Sequence, residues 1–118
     1  MDPPLIYHNP RCAKSRATLA LLRQRGFDPI VIDNLESPPS AAQLTRIANL
    51  MGVDVRQLLR TEEPAYAELG LSDPQLDNDE LLRRVIKLPA LIQRPIVLAN
   101  GKAAVGRPPE AILPILAP

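Results

Sequence analysis

Cysteine occurs once in this chain, at position 12, and histidine once, at position 8. A single thiol excludes an internal disulfide, and one cysteine with one histidine excludes a zinc site of the usual ligand sets, so no metal is expected. That cysteine usage suits a reducing compartment and points to the cytoplasm. Tryptophan is absent and there are only one Phe and two Tyr, so the aromatic platforms on which single-stranded nucleic acid stacks are missing. Charge of one sign is missing too: 14 basic residues against 13 acidic leave +1, too little for general nucleic-acid binding, and any anion site must be local. The sequence shows no apolar run long enough to span a bilayer and no basic-then-apolar leader, so neither insertion nor export is expected. Proline is the exception to this sparseness, with 14 residues scattered singly or in pairs as turn punctuation.

The 118 residues are enough for one domain, 1–118, that buries about two thirds of its unfolded surface without staples. Leu5-Ile6-Tyr7 reads as a short strand, and Asn9-Pro10 as the turn after it. A helix from about Ala13 to Arg25 follows, with Ala17, Leu19 and Leu22 on one side and Gly26 as its stop. Pro29-Ile30-Val31-Ile32 gives a second strand, and strand-helix-strand of this length predicts a parallel pair. From Ser40 the period becomes helical: Ser40 with Gln43 has the capping-box pattern, Asp54 can cap a short turn, and Asp77 with Glu80 opens another helix. Residues from about 40 to 89 therefore read as a helical insert. Strands return at Pro95-Ile96-Val97-Leu98 and Ala103-Ala104-Val105, joined by Asn100-Gly101, the strongest short hairpin signal. Pro108-Pro109 starts a last helix with Ile112, Leu113 and Leu116 inward. No repeat or linker divides the chain, and no apolar surface stripe is left over, so a monomer is expected.

Cys12 lies where a strand turns into a helix. Unpaired N–H groups of the first helical turn, with the helix dipole, stabilise a thiolate or a bound oxyanion there, and thiols so placed can ionise at a pKa of roughly 3.5–7.5. The alternative is a small buried hydrophobe; the cations Arg11, Lys14 and Arg16 around it favour the nucleophile. His8 is placed either to support the thiolate or to be a solvated loop imidazole. Ser15 can donate to a thiolate or simply start the helix, and Asn9 can serve the site or only the turn. Arg60, Arg94 and Arg107 stand apart in sequence. Each suits a tetrahedral oxyanion, and no spacing rule brings them together.

The order β-α-β, helical insert, β-β-α resembles a thioredoxin fold: a four-stranded mixed sheet flanked by helices, with the insertion between the second and third strands. In that fold the active cysteine starts the first helix and a cis-proline precedes the third strand. The resemblance makes Pro95 that proline, where an ordinary reading makes it trans. The motif Cys12-Ala13-Lys14-Ser15 has serine where thioredoxins carry a resolving thiol, so that thiol must be external.

The run Ile6-Tyr7-His8-Asn9-Pro10-Arg11-Cys12-x-x-Ser15-Arg16-x-x-Leu19, with Leu35-Glu36-x-Pro38-Pro39, Leu58-Leu59-Arg60, Tyr66-x-x-Leu69-Gly70-Leu71, Arg94-Pro95-Ile96-Val97 and Arg107-Pro108, resembles the glutaredoxin-coupled bacterial arsenate reductases. The stretch Arg11–Ser15, the Asn100-Gly101-Lys102 hairpin and an end at Pro118 are closer to the short, arsenate reductase-like branch. The resemblance implies that Cys12 attacks arsenate as a thiolate, assisted by His8 and Ser15, while Arg60, Arg94 and Arg107 hold the oxyanion. It further implies no tightly bound cofactor: glutathione is co-substrate and glutaredoxin the electron-delivering partner, resolving a Cys12–glutathione disulfide as arsenite leaves. Two alternatives belong to the same fold. One is a regulator that binds RNA polymerase or another protein, although relatives of that kind usually carry C-x-x-C. The other is a glutathione-dependent monothiol oxidoreductase.

Overall fold

A computed structural model describes residues 3–117. Its elements are β1 (Leu5–His8), α1 (Ala13–Gln24), β2 (Ile30–Asp33), α2 (Ala41–Met51), α3 (Pro64–Glu68), α4 (Asn78–Val85), β3 (Ile96–Ala99), β4 (Lys102–Val105) and α5 (Leu113–Leu116). They fall into two compact units, one of Met1–Ser37 with Arg94–Pro118, the other of Pro38–Gln93.

The first unit carries a four-stranded mixed sheet of order β2-β1-β3-β4. β1 and β2 are parallel, with Leu5 opposite Ile30 and His8 opposite Asp33, while β1–β3 and β3–β4 are antiparallel. The register sets Ile6 beside Val97, and both are fully buried with Leu22 of α1 and Ile112. Each such side chain contributes about 1.5–3 kcal/mol. The stop of α1 is a Schellman motif: Gly26 N–H donates to the Arg23 carbonyl and Phe27 N–H to that of Leu22, with Phe27 packed on the core that holds Leu22. Asn100 and Gly101 both adopt left-handed φ, 54° and 72°, which is the geometry a two-residue hairpin demands.

The inward face of α1 differs from the expected one. It buries Ser15, Thr18 and Leu22, while Leu19 is half-buried and Ala17 exposed. Hydrophobicity alone misplaces this face because two hydroxyls are satisfied inside it, Thr18 by its bond to the Lys14 carbonyl at 2.8 Å and Ser15 by the turn before the helix. The last helix is also more broken than expected, a 3-10 turn Pro109–Ile112 running into α5.

In the second unit α2 opens on the expected capping box, Ser40 and Gln43 each bonding the other's backbone N–H. Asp54 caps the 3-10 turn Val55–Leu58, and Asp77 caps α4. A bridge from Leu59 to Ile92 and a second 3-10 turn, Pro89–Leu91, close the unit. Arg56 ties it internally: its guanidinium donates to the Tyr66 hydroxyl and to the carbonyls of Leu71, Asp73 and Leu76. Among the described residues no helix is long and apolar enough to cross a membrane.

Candidate functional site

β1 ends at His8, and the turn Asn9-Pro10-Arg11 delivers Cys12 to the N-cap of α1 with extended backbone, φ −94° and ψ 122°. The Cys12 N–H is held by the Asn9 carbonyl at 3.0 Å, and the Asn9 side chain accepts from Arg11 N–H at 2.9 Å. No acidic residue stands in the first turn of the helix. The sulfur therefore takes the place where a capping oxygen usually sits. No cap bond of standard geometry closes, yet the N–H groups of Ser15 and Lys14 act on the sulfur as hydrogen-bond donors. Burial pushes the half-buried thiol up. It is outweighed by those two N–H groups and by the positive charges of Arg107 and Arg94, so the net displacement is below the ordinary thiol value.

The guanidinium that reaches the sulfur comes from the far end of the chain. Arg107 places Nη2 3.7 Å from Cys12 Sγ and donates from Nε to the Arg94 carbonyl at 3.0 Å. Arg94-Pro95 is cis, in keeping with the fold resemblance, and Arg107-Pro108 is cis as well. Backbone bonds fix the two segments to each other, with Gly106 N–H on the Pro95 carbonyl at 2.9 Å. One of the cations adjacent to Cys12 in sequence is turned elsewhere: Arg16 donates to the Pro10 carbonyl at 2.8 Å. Local sequence thus identified the thiol, but the guanidinium facing it is 95 positions away.

His8 and Ser15 meet directly, Nδ1 to Oγ at 2.6 Å, and both are buried. Ser15 Oγ also accepts from Asn9 N–H at 3.0 Å. The thiol accordingly feels Ser15 through its backbone, while the hydroxyl belongs to the imidazole. Desolvation lowers the His8 pKa, Asp33 raises it, and Arg23 and Arg16 lower it, for a net displacement downward. A neutral imidazole has two tautomers with different consequences here. With Nδ1 bare, the Ser15 O–H must donate to it; with Nδ1–H present, the ring donates and the hydroxyl proton is released toward other acceptors.

The sixth candidate, Arg60, belongs to the helical unit. Its Nη2 pairs with Glu63 at 3.1 Å and its Nε lies 3.8 Å from Glu62, while its backbone N–H is held by the Leu91 carbonyl at 2.7 Å. Among the described residues no group of three or more His, Cys, Asp or Glu could hold a metal ion. What the sequence reading passed over is Thr18 and Gly106: a helix-period argument counts hydroxyls as outward, and a lone glycine carries no local signal of what presses on it.

A thiol held at a helix start beside a guanidinium is equipped to bind and attack an oxyanion. Known proteins with this chain's pattern agree. The ArsC family profile matches residues 7–115. An arsenate reductase of Neisseria meningitidis serogroup A is 53% identical over 112 residues, covering 94% of this chain and 96% of that protein. One of Haemophilus influenzae is 46% identical over 113 residues, covering 95% and 97%. The solved structure of an arsenate reductase from Vibrio cholerae superposes with a TM-score of 0.92 at 49% identity, covering 97% of this chain and 98% of that one. With the site geometry, the profile over nearly all its length and relatives matched end to end, this chain belongs to the ArsC family.

Proposed function

We propose that the chain reduces arsenate to arsenite through the Cys12 thiolate, with the second of the two thiols that the two-electron reduction consumes supplied from outside the chain. The observation that carries this reading is the pairing of Cys12 Sγ with Arg107 in a chain that has no other thiol. Arsenate and two thiols give arsenite, one disulfide and water; Cys12 supplies one thiol and glutathione the other. The thiolate attacks arsenic, hydroxide leaves as water after protonation, and attack by the second thiol forms the S–S bond as As(V) becomes As(III). Glutaredoxin then resolves the Cys12–glutathione disulfide by thiol exchange. A reducing cytoplasm sustains that chemistry.

The roles follow from what each side chain offers. Arg107 and Arg94 present planar forks to the oxyanion, and Arg60 is assigned the third fork by family resemblance. Within the helical unit, Arg60 itself is paired with Glu63. His8 and Ser15 pass or place the proton that departing oxygen needs.

A coupled assay tests the reading: purified chain, arsenate, glutathione, glutaredoxin and glutathione reductase, followed by NADPH loss. The native chain is expected to turn over only with arsenate and glutaredoxin both present. Replacing Arg94 or Arg60 by Ala is expected to lower kcat/KM for arsenate by about 100-fold or more. Turnover of a glutathionylated substrate without arsenate, or retention of RNA polymerase by a chain inactive toward arsenate, would contradict it.

A further inference from the structure

Four of the five glycines sit at positive φ, where an L side chain is strained; Gly106 does not, so its missing side chain answers to space. A Cβ there would stand 2.8 Å from Pro95 Cγ and 3.0 Å from Thr18 Cγ2, and nearer still to Thr18 Oγ1. Carbon atoms rest at about 3.5–4.0 Å, so a methyl group requires a displacement of about 0.5–1 Å. Neither neighbour yields easily. Pro95 is a buried ring, and Thr18 is β-branched, fully buried and fixed by its bond to the Lys14 carbonyl. A displacement would therefore fall on the segment after β4 that carries Gly106 and Arg107.

Thr18 stands one turn along α1 from Ser15, and it closes on the carbonyl of Lys14; these are the two residues whose N–H groups act on the sulfur. Gly106 immediately precedes the arginine that faces the sulfur from the other side. We propose that Gly106, pressed against Thr18, is a positioning residue that sets the separation between the Arg107 guanidinium and the Cys12 sulfur. The contact gauges the helix start against the arginine segment, and the backbone bond from Gly106 to Pro95 carries the same setting to Arg94. Its catalytic consequence rests on the arsenate reading above. Its effect on the thiol does not, because thiol ionisation is measured without arsenate.

The test compares the native chain, Gly106→Ala, and Gly106→Ala combined with Thr18→Ala, which removes both Thr18 atoms that the new methyl meets. The pH dependence of Cys12 alkylation by iodoacetamide is read beside far-UV circular dichroism. Gly106→Ala is expected to fold and to shift the alkylation midpoint upward by about 0.5–1 pH unit, as the cation withdraws. In the arsenate assay it should lose about 10- to 100-fold in kcat/KM. The double variant should move the midpoint back toward the native value. A folded Gly106→Ala with the native midpoint, or a raised midpoint that Thr18→Ala leaves in place, overturns the proposal. Should Gly106→Ala not fold, a double variant that folds with a midpoint near native supports the gauge, and one that also fails to fold assigns Gly106 to the Pro95 contact instead and overturns it. Variants that show these shifts beside a native chain that never reduces arsenate would sink the functional reading alone.

Discussion

Burial alone would raise the pKa of the Cys12 thiol, and two backbone donors with two arginines outweigh it, so the net displacement is downward. The sign is therefore testable at the residue itself. Iodoacetamide should alkylate Cys12 with a midpoint below the ordinary thiol pKa of about 8.5, and Arg107→Ala should move that midpoint up while lowering kcat/KM for arsenate by about 100- to 1,000-fold. An unshifted midpoint in the native chain would remove the electrostatic account of the site. His8 provides a second reading. Its folded pKa lies below the unfolded value of about 6.5, so the native state prefers the neutral ring and NMR of the imidazole should show titration below that value. The associated stability is fully present above about pH 6.5 and is lost as pH falls through the folded pKa, because the unfolded chain takes up the proton first. A titration at or above 6.5 would contradict the desolvation that lowers the ring's pKa. At this scale the sequence made Cys12, His8 and Ser15 legible through adjacency alone. The pairing of Arg107 with the sulfur was not legible from spacing; the residue stood out as an oxyanion candidate, and only the family pattern brought it to Cys12. No residue-level signal pointed to Gly106, whose constraint comes from a helix 88 positions earlier in the chain at Thr18.

Elements were more readable than contacts, and the reason is local chemistry. The capping box at Ser40, the caps at Asp54 and Asp77, the Gly26 stop and the Asn100-Gly101 turn each satisfy backbone groups within a few residues, so each leaves its pattern in the sequence. Gly101→Ala should accordingly cost about 1–2 kcal/mol in urea unfolding, since its φ of 72° is retained only against Cβ repulsion. The face of α1 was misread because Thr18 and Ser15 are paid for by hydrogen bonds rather than by apolar contact. The staple at Arg56 was equally invisible: one guanidinium serves Tyr66 and the three carbonyls of Leu71, Asp73 and Leu76, and nothing near Arg56 in sequence announces them. Arg56→Ala should destabilise the chain by about 3 kcal/mol, and Arg56→Lys should recover little of it, because an ammonium cannot reproduce the planar fork. Full recovery by lysine would show that charge, not geometry, holds the segment.

For the molecule as a whole, the decisive fact is an economy: 118 residues, one thiol and a formal charge of +1. A chain with one thiol cannot complete a two-thiol reduction, so the missing resolving cysteine at Ser15 becomes a requirement for an outside reductant rather than a defect. Composition removed metal, membrane and nucleic-acid chemistries from the reading, and family resemblance supplied arsenate; no physical pattern in the sequence distinguishes arsenate from other tetrahedral oxyanions. The parallel β1–β2 pair and the β3–β4 hairpin follow from the alternation of strand and helix signals, whereas the single four-stranded mixed sheet that joins them was implied by the fold resemblance. The central claim is that the Cys12 thiolate reduces arsenate with an external thiol. Its most direct measurement is arsenite released from arsenate by the native chain and by Cys12→Ser, each with glutathione and glutaredoxin. Arsenite formation at least about 1,000-fold faster with the native chain is predicted; release by the native chain no faster than by Cys12→Ser would contradict the account.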